Sequence, residues 1–147
     1  MDINECLSNF QFIGSSVRHL EVNNNHVYIS EEEWKQIIPN IDVNYSIEDI
    51  SIDEESKSLF GIINLNLMLS IESSEKKTSV SLVLQGCFSD KPSNKENFKQ
   101  LLSLNGCTAL YSIARSIVAS TLSQCVSGHQ IILPMINVFK MVGENNN

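Results

Sequence analysis

The 147-residue chain lacks most of what recognisable catalytic and metal sites are made from. Its four cysteines, Cys6, Cys87, Cys107 and Cys125, stand far apart with no C-x-x-C pair. That spacing excludes a zinc ribbon or a dithiol redox motif, and three of the four lie in apolar runs, where a reduced thiol acts as a small hydrophobe. His19, His26 and His129 have no ligand companions near them in sequence. No nucleophile elbow, P-loop, dinucleotide fingerprint or H-E-x-x-H occurs. The carboxylates gather in the turn-like stretches Glu31-Glu32-Glu33 and Asp53-Glu54-Glu55, where a solvated role is the default. The chain therefore offers no catalytic residue, no metal site and no cofactor, and an enzyme is not expected. Basic residues are scarce as well, and a net charge of -7 repels phosphates, which argues against nucleic acid as a partner. The start, Met1-Asp2-Ile3-Asn4-Glu5, lacks the basic region and apolar run of a secretion signal. A reducing, cytoplasmic setting is the expectation.

The acidity is uneven. Residues 1–55 hold twelve Asp or Glu against Arg18 and Lys35, a balance of -10, whereas residues 56–147 balance at +3. The first third thus presents an acidic surface, serving either solubility or the docking of a basic partner. The length and the 42% hydrophobic content suffice for one domain with its own core.

Four strands can be read. Phe10 to Val22 is extended, with a bulge or bend at Gly14. Asn23-Asn24-Asn25 breaks the pattern and opens a crossover over 23–40, which holds Val27, Tyr28, Ile29, Trp34, Ile37 and Ile38. Within it, Ser30 and Glu33 have the spacing of a capping box for a short helical turn. Ile41 to Ile47 alternates as a half-buried strand, and past Glu48-Asp49 the apolar set moves to Ile50 and Ile52, a one-residue register shift. The third strand places Leu59, Gly61, Ile63, Leu65, Leu67, Leu69 and Ile71 on one face, with Phe60, Ile62, Asn64, Asn66 and Met68 on the other. After the turn at 73–77, Val80, Leu82 and Leu84 alternate into Gly86-Cys87-Phe88. Short connections among the last three strands imply an antiparallel meander, with the first strand joined by the crossover.

Ser93 and Glu96 repeat the capping-box spacing before a short helix with Phe98, Leu101 and Leu102, which Gly106 separates from a long one. That long helix runs from Cys107 to Ser127 and is closed by Gly128. Leu110, Ile113, Ala114, Ile117, Val118, Thr121, Leu122 and Cys125 recur at steps of three and four and make one broad apolar face. The opposite face carries Ser112, Ser116, Ala119, Ser120 and Ser123, and Arg115 is the only charge in the span. Such a face is either a serine-rich exposed surface or a close contact with a second subunit. The helix has nearly the length of a membrane span, but Arg115, Gln124 and seven Ser or Thr make it a poor one. No stable membrane insertion is expected. After Gly128, Ile131-Ile132-Leu133-Pro134 is extended, Ile136 to Met141 can form one or two helical turns, and 142–147 is a frayed tail. The fold class is α+β: a four-stranded antiparallel sheet (10–88) followed by a helical part (93–141), with the long C-terminal helix packed on one face.

The third strand, the crossover and the tail from Ile131 to Phe139 carry more apolar surface than one sheet face and one helix face need. An oligomer or a binding groove, or both, would cover it.

In that order of elements, Leu110-Tyr111-Ser112-Ile113-Ala114-Arg115-Ser116-Ile117 resembles the long helix of SecB, the export chaperone family that holds unfolded polypeptides. Ser127-Gly128, then Leu133-Pro134-Met135-Ile136-Asn137, are similar to its post-helix segment; Gly106-Cys107 and Trp34 also fit, so the likeness spans roughly residues 10–141. The resemblance implies edge-to-edge dimers that meet through their long helices as a dimer of dimers, a homotetramer. It also implies holding of non-native polypeptides without ATP in apolar grooves. On this chain the groove residues would be Val27, Tyr28, Ile29, Trp34, Ile37, Leu133, Ile136, Val138 and Phe139, and the subunit contact Ser112, Ser116, Ala119, Ser120 and Ser123. The chain departs from the family at Ser112 and Ser116, where a Pro and a Glu are usual, and in its shortened ending Val138-Phe139-Lys140-Met141. The family's acidic docking positions for the motor SecA fall on Val17 and Ser81, with Glu21 alone retained, which argues against hand-over to SecA. Three functions stay open: a holdase in protein export; a subunit dedicated to one client, for example an antitoxin; and a small-molecule pocket between sheet and helix. Trp34 either contacts clients or only pins the crossover.

Overall fold

The alternating stretches are strands in a computed structural model that describes Ile3, residues 7–91 and residues 94–144. Strand β1 is Gln11–Asn24, β2 the short Tyr28–Ile29, β3 Asn40–Ile52, β4 Leu59–Ser73 and β5 Lys76–Asp90. The main sheet has the order β1-β5-β4-β3, all antiparallel, so β3, β4 and β5 form the expected meander and β1 returns beside β5. The bulge near Gly14 is present, since the register slips between Phe12 and Gly14, and a second slip lies between Val17 and His19. The slip at Glu48 is present too, between Ile47 and Asp49. The β4–β5 hairpin closes through Ser74 and Glu75, both at positive φ (50° and 64°), the backbone hand of the turn that matches strand twist.

The sheet has two unlike faces. On the inner one, Leu59, Ile63, Leu65, Leu67, Leu69 and Ile71 of β4 meet Val80, Leu82, Leu84 and Phe88 of β5, all buried. Each such side chain contributes ~1.5–3 kcal/mol relative to exposure. The outer face carries side-chain amides that bond across the strands: Asn66 to Asn44 at 2.9 Å, and Asn64 and Gln85 to the Glu48 carboxylate at 2.9 and 2.7 Å.

Helices cover the inner face. Helix α1 is the turn Glu31–Trp34, α2 is Lys95–Leu101, α3 is Cys107–Cys125 and α4 is Val138–Glu144. The Ser30 side chain caps α1 by accepting from the Glu33 N–H at 3.1 Å, as its spacing predicts, but the Glu33 carboxylate turns away and accepts from the Ser73 hydroxyl. For α2 the cap is Asn94, whose side chain accepts from the Glu96 N–H at 2.8 Å; the expected cap Ser93 lies outside the described residues, as do Cys6 and 145–147.

Three elements differ from the sequence expectation. Gly106 does not separate two helices: a five-residue π-helical stretch, Leu102–Gly106, joins α2 to α3 without a break. A Cβ at Gly106 would meet Phe88 at 3.4 Å, an ordinary contact distance, so neither crowding nor chain reversal calls for glycine there. The long helix ends at Cys125, not Ser127, because Ser127–Gly128 forms strand β6 parallel to β2. The tail expected from 142 does not begin there, since Val142, Gly143 and Glu144 belong to α4. The continuous helix from Lys95 to Cys125 is long and apolar enough to cross a membrane by length and composition. Its apolar stripe is nonetheless occupied: Cys107, Leu110, Tyr111, Ala114, Val118 and Leu122 are buried in the core. Ile113 and Ile117, expected against the sheet, are only half-buried at its margin.

Candidate functional site

Two chain segments meet at the end of α3, and each is fixed by a few polar contacts. The first begins at Asn24, which the Asn run marks as a break but which stays in β1, paired with Thr78. Its side-chain N–H groups donate to the carbonyls of His26 (2.7 Å) and Cys125 (3.0 Å), and its oxygen accepts from the His26 N–H (3.0 Å) and from the Thr78 hydroxyl. The single hydroxyl hydrogen of Thr78 is thereby used, so His26 Nδ1, 2.7 Å from the same oxygen, is the donor of that pair. His26 is buried and its Nε2 has no partner among the described residues. One side chain, Asn24, thus ties the base of the crossover to the end of the helix.

Beyond this knot the crossover is clamped to the post-helix chain. The Val27 carbonyl accepts from the Ser127 N–H and from its hydroxyl, both at 2.9 Å, and the Ile29 carbonyl accepts from the His129 N–H at 3.0 Å. Gly128 between them sits at φ +101°, and a Cβ there would lie 2.1 Å from the Ile29 oxygen, so only glycine fits. Trp34 stacks on the His129 ring with centroids 4.9 Å apart and planes 21° from parallel.

The post-helix segment 131–136, here called the strap, has no helix, turn or bend and belongs to no sheet, and its burial alternates from Ile131 to Pro134 as along an extended chain. Helix side chains hold it. Arg115 Nε donates to the Leu133 carbonyl at 2.9 Å, Arg115 Nη1 lies 3.0 Å from the Met135 sulfur, and the Tyr111 hydroxyl donates to the Pro134 carbonyl at 2.7 Å. Burial pushes the Tyr111 phenol up, with the Arg115 charge pulling partly back, so it stays a donor at neutral pH. Between the strap, α4 and the free edge strand β3 runs an open groove of about 360 Å³, walled by Ile41, Val43, Pro134, Ile136 and Met141, with Asp42, Asn137, Lys140 and Glu144 also lining it.

Of the residues expected to line a groove, Ile136 alone walls this one; Tyr28 and Ile29 pair with Ser127 and Gly128 at the clamp, and the nine divide by exposure. Val27 (76%), Tyr28 (60%) and Phe139 (76%) are open to solvent, while Trp34, Ile37, Ile136 and Val138 are half-buried. Ile29 and Leu133 are core residues, at 0% and 2% exposure, and are not open surface: the β2–β6 pairing and the strap's inward side enclose them. Sequence reasoning missed Ile38 (92%), Ile132 (54%) and Met135 (77%) as exposed apolar residues of the crossover and the strap. It also missed the hold of Arg115 and Tyr111 on the strap, for which the only signal is that Arg115 is the lone charge of its helix.

On the back of α3, Ser112, Ser116, Ser120 and Ser123 are exposed and Ala119 is half-buried. Several hydroxyls turn inward to their own helix: Thr108 to the Leu104 carbonyl (2.7 Å), Ser112 to Thr108 (3.0 Å) and Ser123 to Ser120 (2.7 Å). The face is therefore less polar than its composition suggests. Cys87, Cys107 and Cys125 are free thiols. Among the described residues, no three His, Cys, Asp or Glu side chains gather as a metal site. The acidic turn at Asp53 is closed on itself: the Ser56 hydroxyl, then the amides of Ser56 and Glu55, hold the Asp53 carboxyl below its usual range.

This architecture is a SecB-like fold. A SecB-like chaperone of Mycobacterium tuberculosis, solved with a ChAD peptide from the HigA1 antitoxin, superposes with a TM-score of 0.64 at 10% identity, over 87% of this chain and 91% of that one. A protein of unknown function from Streptococcus agalactiae superposes with a TM-score of 0.52 at 11% identity, over 86% of this chain and 97% of that one. No family model and no curated protein sequence matches the chain.

Proposed function

We propose that this protein is an ATP-independent holdase that binds extended, aggregation-prone polypeptides on the apolar surface shared by the crossover, the strap and α4. The observation that carries this reading is that Val27, Tyr28, Ile38, Ile132, Met135 and Phe139 stay exposed, on a crossover and a strap hydrogen-bonded to α3 and on a helix α4 whose Val138 and Met141 pack on the core. Loose hydrophobes would collapse; these are held out. An apolar surface of this kind accepts many sequences, because extended chains all offer apolar side chains and main-chain polar groups. The fold, shared with a chaperone solved with an antitoxin peptide, supports a polypeptide as the ligand.

The test is aggregation of a reduced, unfolded model protein followed by light scattering, without nucleotide. Suppression at stoichiometric amounts is expected, and no protection at several-fold excess would sink the proposal. A second reading, a chaperone dedicated to one client and independent of SecA, is favoured by Val17 and Ser81 at the family's acidic positions. Val17 also sits opposite Leu84, on the other sheet face from the Glu21–Ser81 pair. One stoichiometric partner and no mixture of non-native chains in a native pull-down would select this reading.

The proposed setting is the cytoplasm and the proposed assembly a homotetramer, with the α3 backs in contact through Ser112, Ser116, Ala119, Ser120 and Ser123. Ser120→Lys should then halve the mass measured by light scattering, because it drives a charge into a close contact. An unchanged mass means that this face meets solvent.

A further inference from the structure

An extended segment without a neighbouring strand has no ladder to fix which way its side chains point, and a slip of one residue exchanges its inner and outer sets. In the strap, Pro134 locks its own φ and keeps Leu133 extended, yet neither restraint chooses the facing. Arg115 and Tyr111 do. They lie four residues apart on one ridge of α3 and take the consecutive carbonyls of Leu133 and Pro134. With those two oxygens held, Ile131 and Leu133 point into the core while Ile132 and Met135 point out. We infer that Arg115 and Tyr111 are positioning residues of the polypeptide-binding surface, acting through the strap by fixing which of its side chains are shown.

The chemistry of Arg115 supports more than a packing role. It is half-buried on an otherwise uncharged helix and makes no ion pair among the described residues. Keeping a charge there is costly, and Met or Leu would fill the space without that cost. What neither could supply is a charge-assisted bond to a main-chain oxygen. Tyr111 adds the second point, and two points on successive residues fix an orientation that one would leave free.

The inference rests on the proposed holdase reading, and its test separates the two. Arg115→Met keeps length and removes the donors, Tyr111→Phe removes one hydroxyl, and Arg115→Lys returns one charged donor nitrogen. In the free protein, backbone order parameters from ¹⁵N relaxation for 131–136 should fall in the Arg115→Met/Tyr111→Phe variant from about 0.85 to below about 0.6, with β4 and β5 unchanged. Affinity for reduced, carboxamidomethylated lysozyme should weaken about 10-fold in that variant, with Arg115→Lys recovering much of the loss. If the double variant fails to fold, Tyr111→Phe alone carries both measurements, with smaller changes in the same direction. A strap that stays rigid overturns the inference, and so does a mobile strap with unchanged affinity. A wild-type protein that never binds the probe removes the holdase reading and with it the positioning role, while the order parameters still record the ties.

Discussion

The two central strands and the clamp at the end of α3 are held by opposite means. In β4 and β5 the buried positions come at every second residue, so that Ile63, Leu65, Leu67 and Leu69 repeat one kind of contact along the strand. The clamp instead hangs on individual atoms: the Asn24 amide, the Gly128 backbone, one Trp34–His129 stack. Redundant contacts make a frame that tolerates small defects. Single contacts make a surface whose shape one substitution can change.

The largest expected effect is in the frame. Leu65→Ala removes a fully buried side chain from the inner face of the sheet and should cost about 2–5 kcal/mol of global stability, read by denaturant unfolding. A cost below about 1 kcal/mol would mean that the core collapses around the gap and that frame and clamp differ less than their contacts imply. Next comes the clamp. Gly128→Ala forces a Cβ against the Ile29 oxygen at a positive φ and should cost about 2–4 kcal/mol, from backbone strain and the lost β2–β6 bonds. Its signature should be local: Trp34 emission shifts to the red as the His129 stack opens, while β4 and β5 amide signals hold. A uniform loss of sheet signals would erase the distinction between frame and clamp.

The smallest effect concerns a thiol inside the frame. Burial pushes the Cys107 thiol up to about 12, whereas an exposed thiol ionises near 9. Cys107 therefore stays protonated and should resist iodoacetamide at pH 8.5, while the less buried Cys87 and Cys125 are alkylated. The stability tied to this group is complete below about pH 9 and is lost as pH rises toward about 12, because the unfolded thiol ionises first. Labelling of Cys107 at the same rate as the others would show that the frame opens readily.

This division also governs what could be read from sequence. The frame was legible because alternation is repeated: Leu59 to Ile71 and Val80 to Leu84 announce their buried face many times over, and the slips near Gly14 and Glu48 show as breaks in that count. The Ser30 cap was legible because its spacing is local. The clamp and the strap were not, since Asn24 to Cys125 spans 101 residues and Arg115 to Leu133 joins a helix to a segment with no periodicity. The resemblance likewise gathered Ile29 with Tyr28 and Leu133 with Ile136; only pairing and facing divide each couple by burial. Gly106 misled because a glycine inside a continuous helix reads in sequence like one that ends a helix.

The π-helical stretch carries a consequence for how this chain can change. Phe98, Leu102, Gly106, Leu110, Ala114, Val118 and Leu122 are buried at strict four-residue steps. On a straight α-helix such a row drifts by about 40° at each step, so its two ends could not rest on the same sheet. The wider turn at Leu102–Gly106 absorbs about one residue and winds part of that drift back. The stretch works as a frame-shift element in the spatial sense. Removing one residue from it would turn the Phe98 end about 100° away from the sheet while leaving every side chain from Cys107 onward in place. Lengthening or shortening the chain within these five residues is thus a question of phase, whereas in the exposed turn between β3 and β4 the same change alters only the size of the turn.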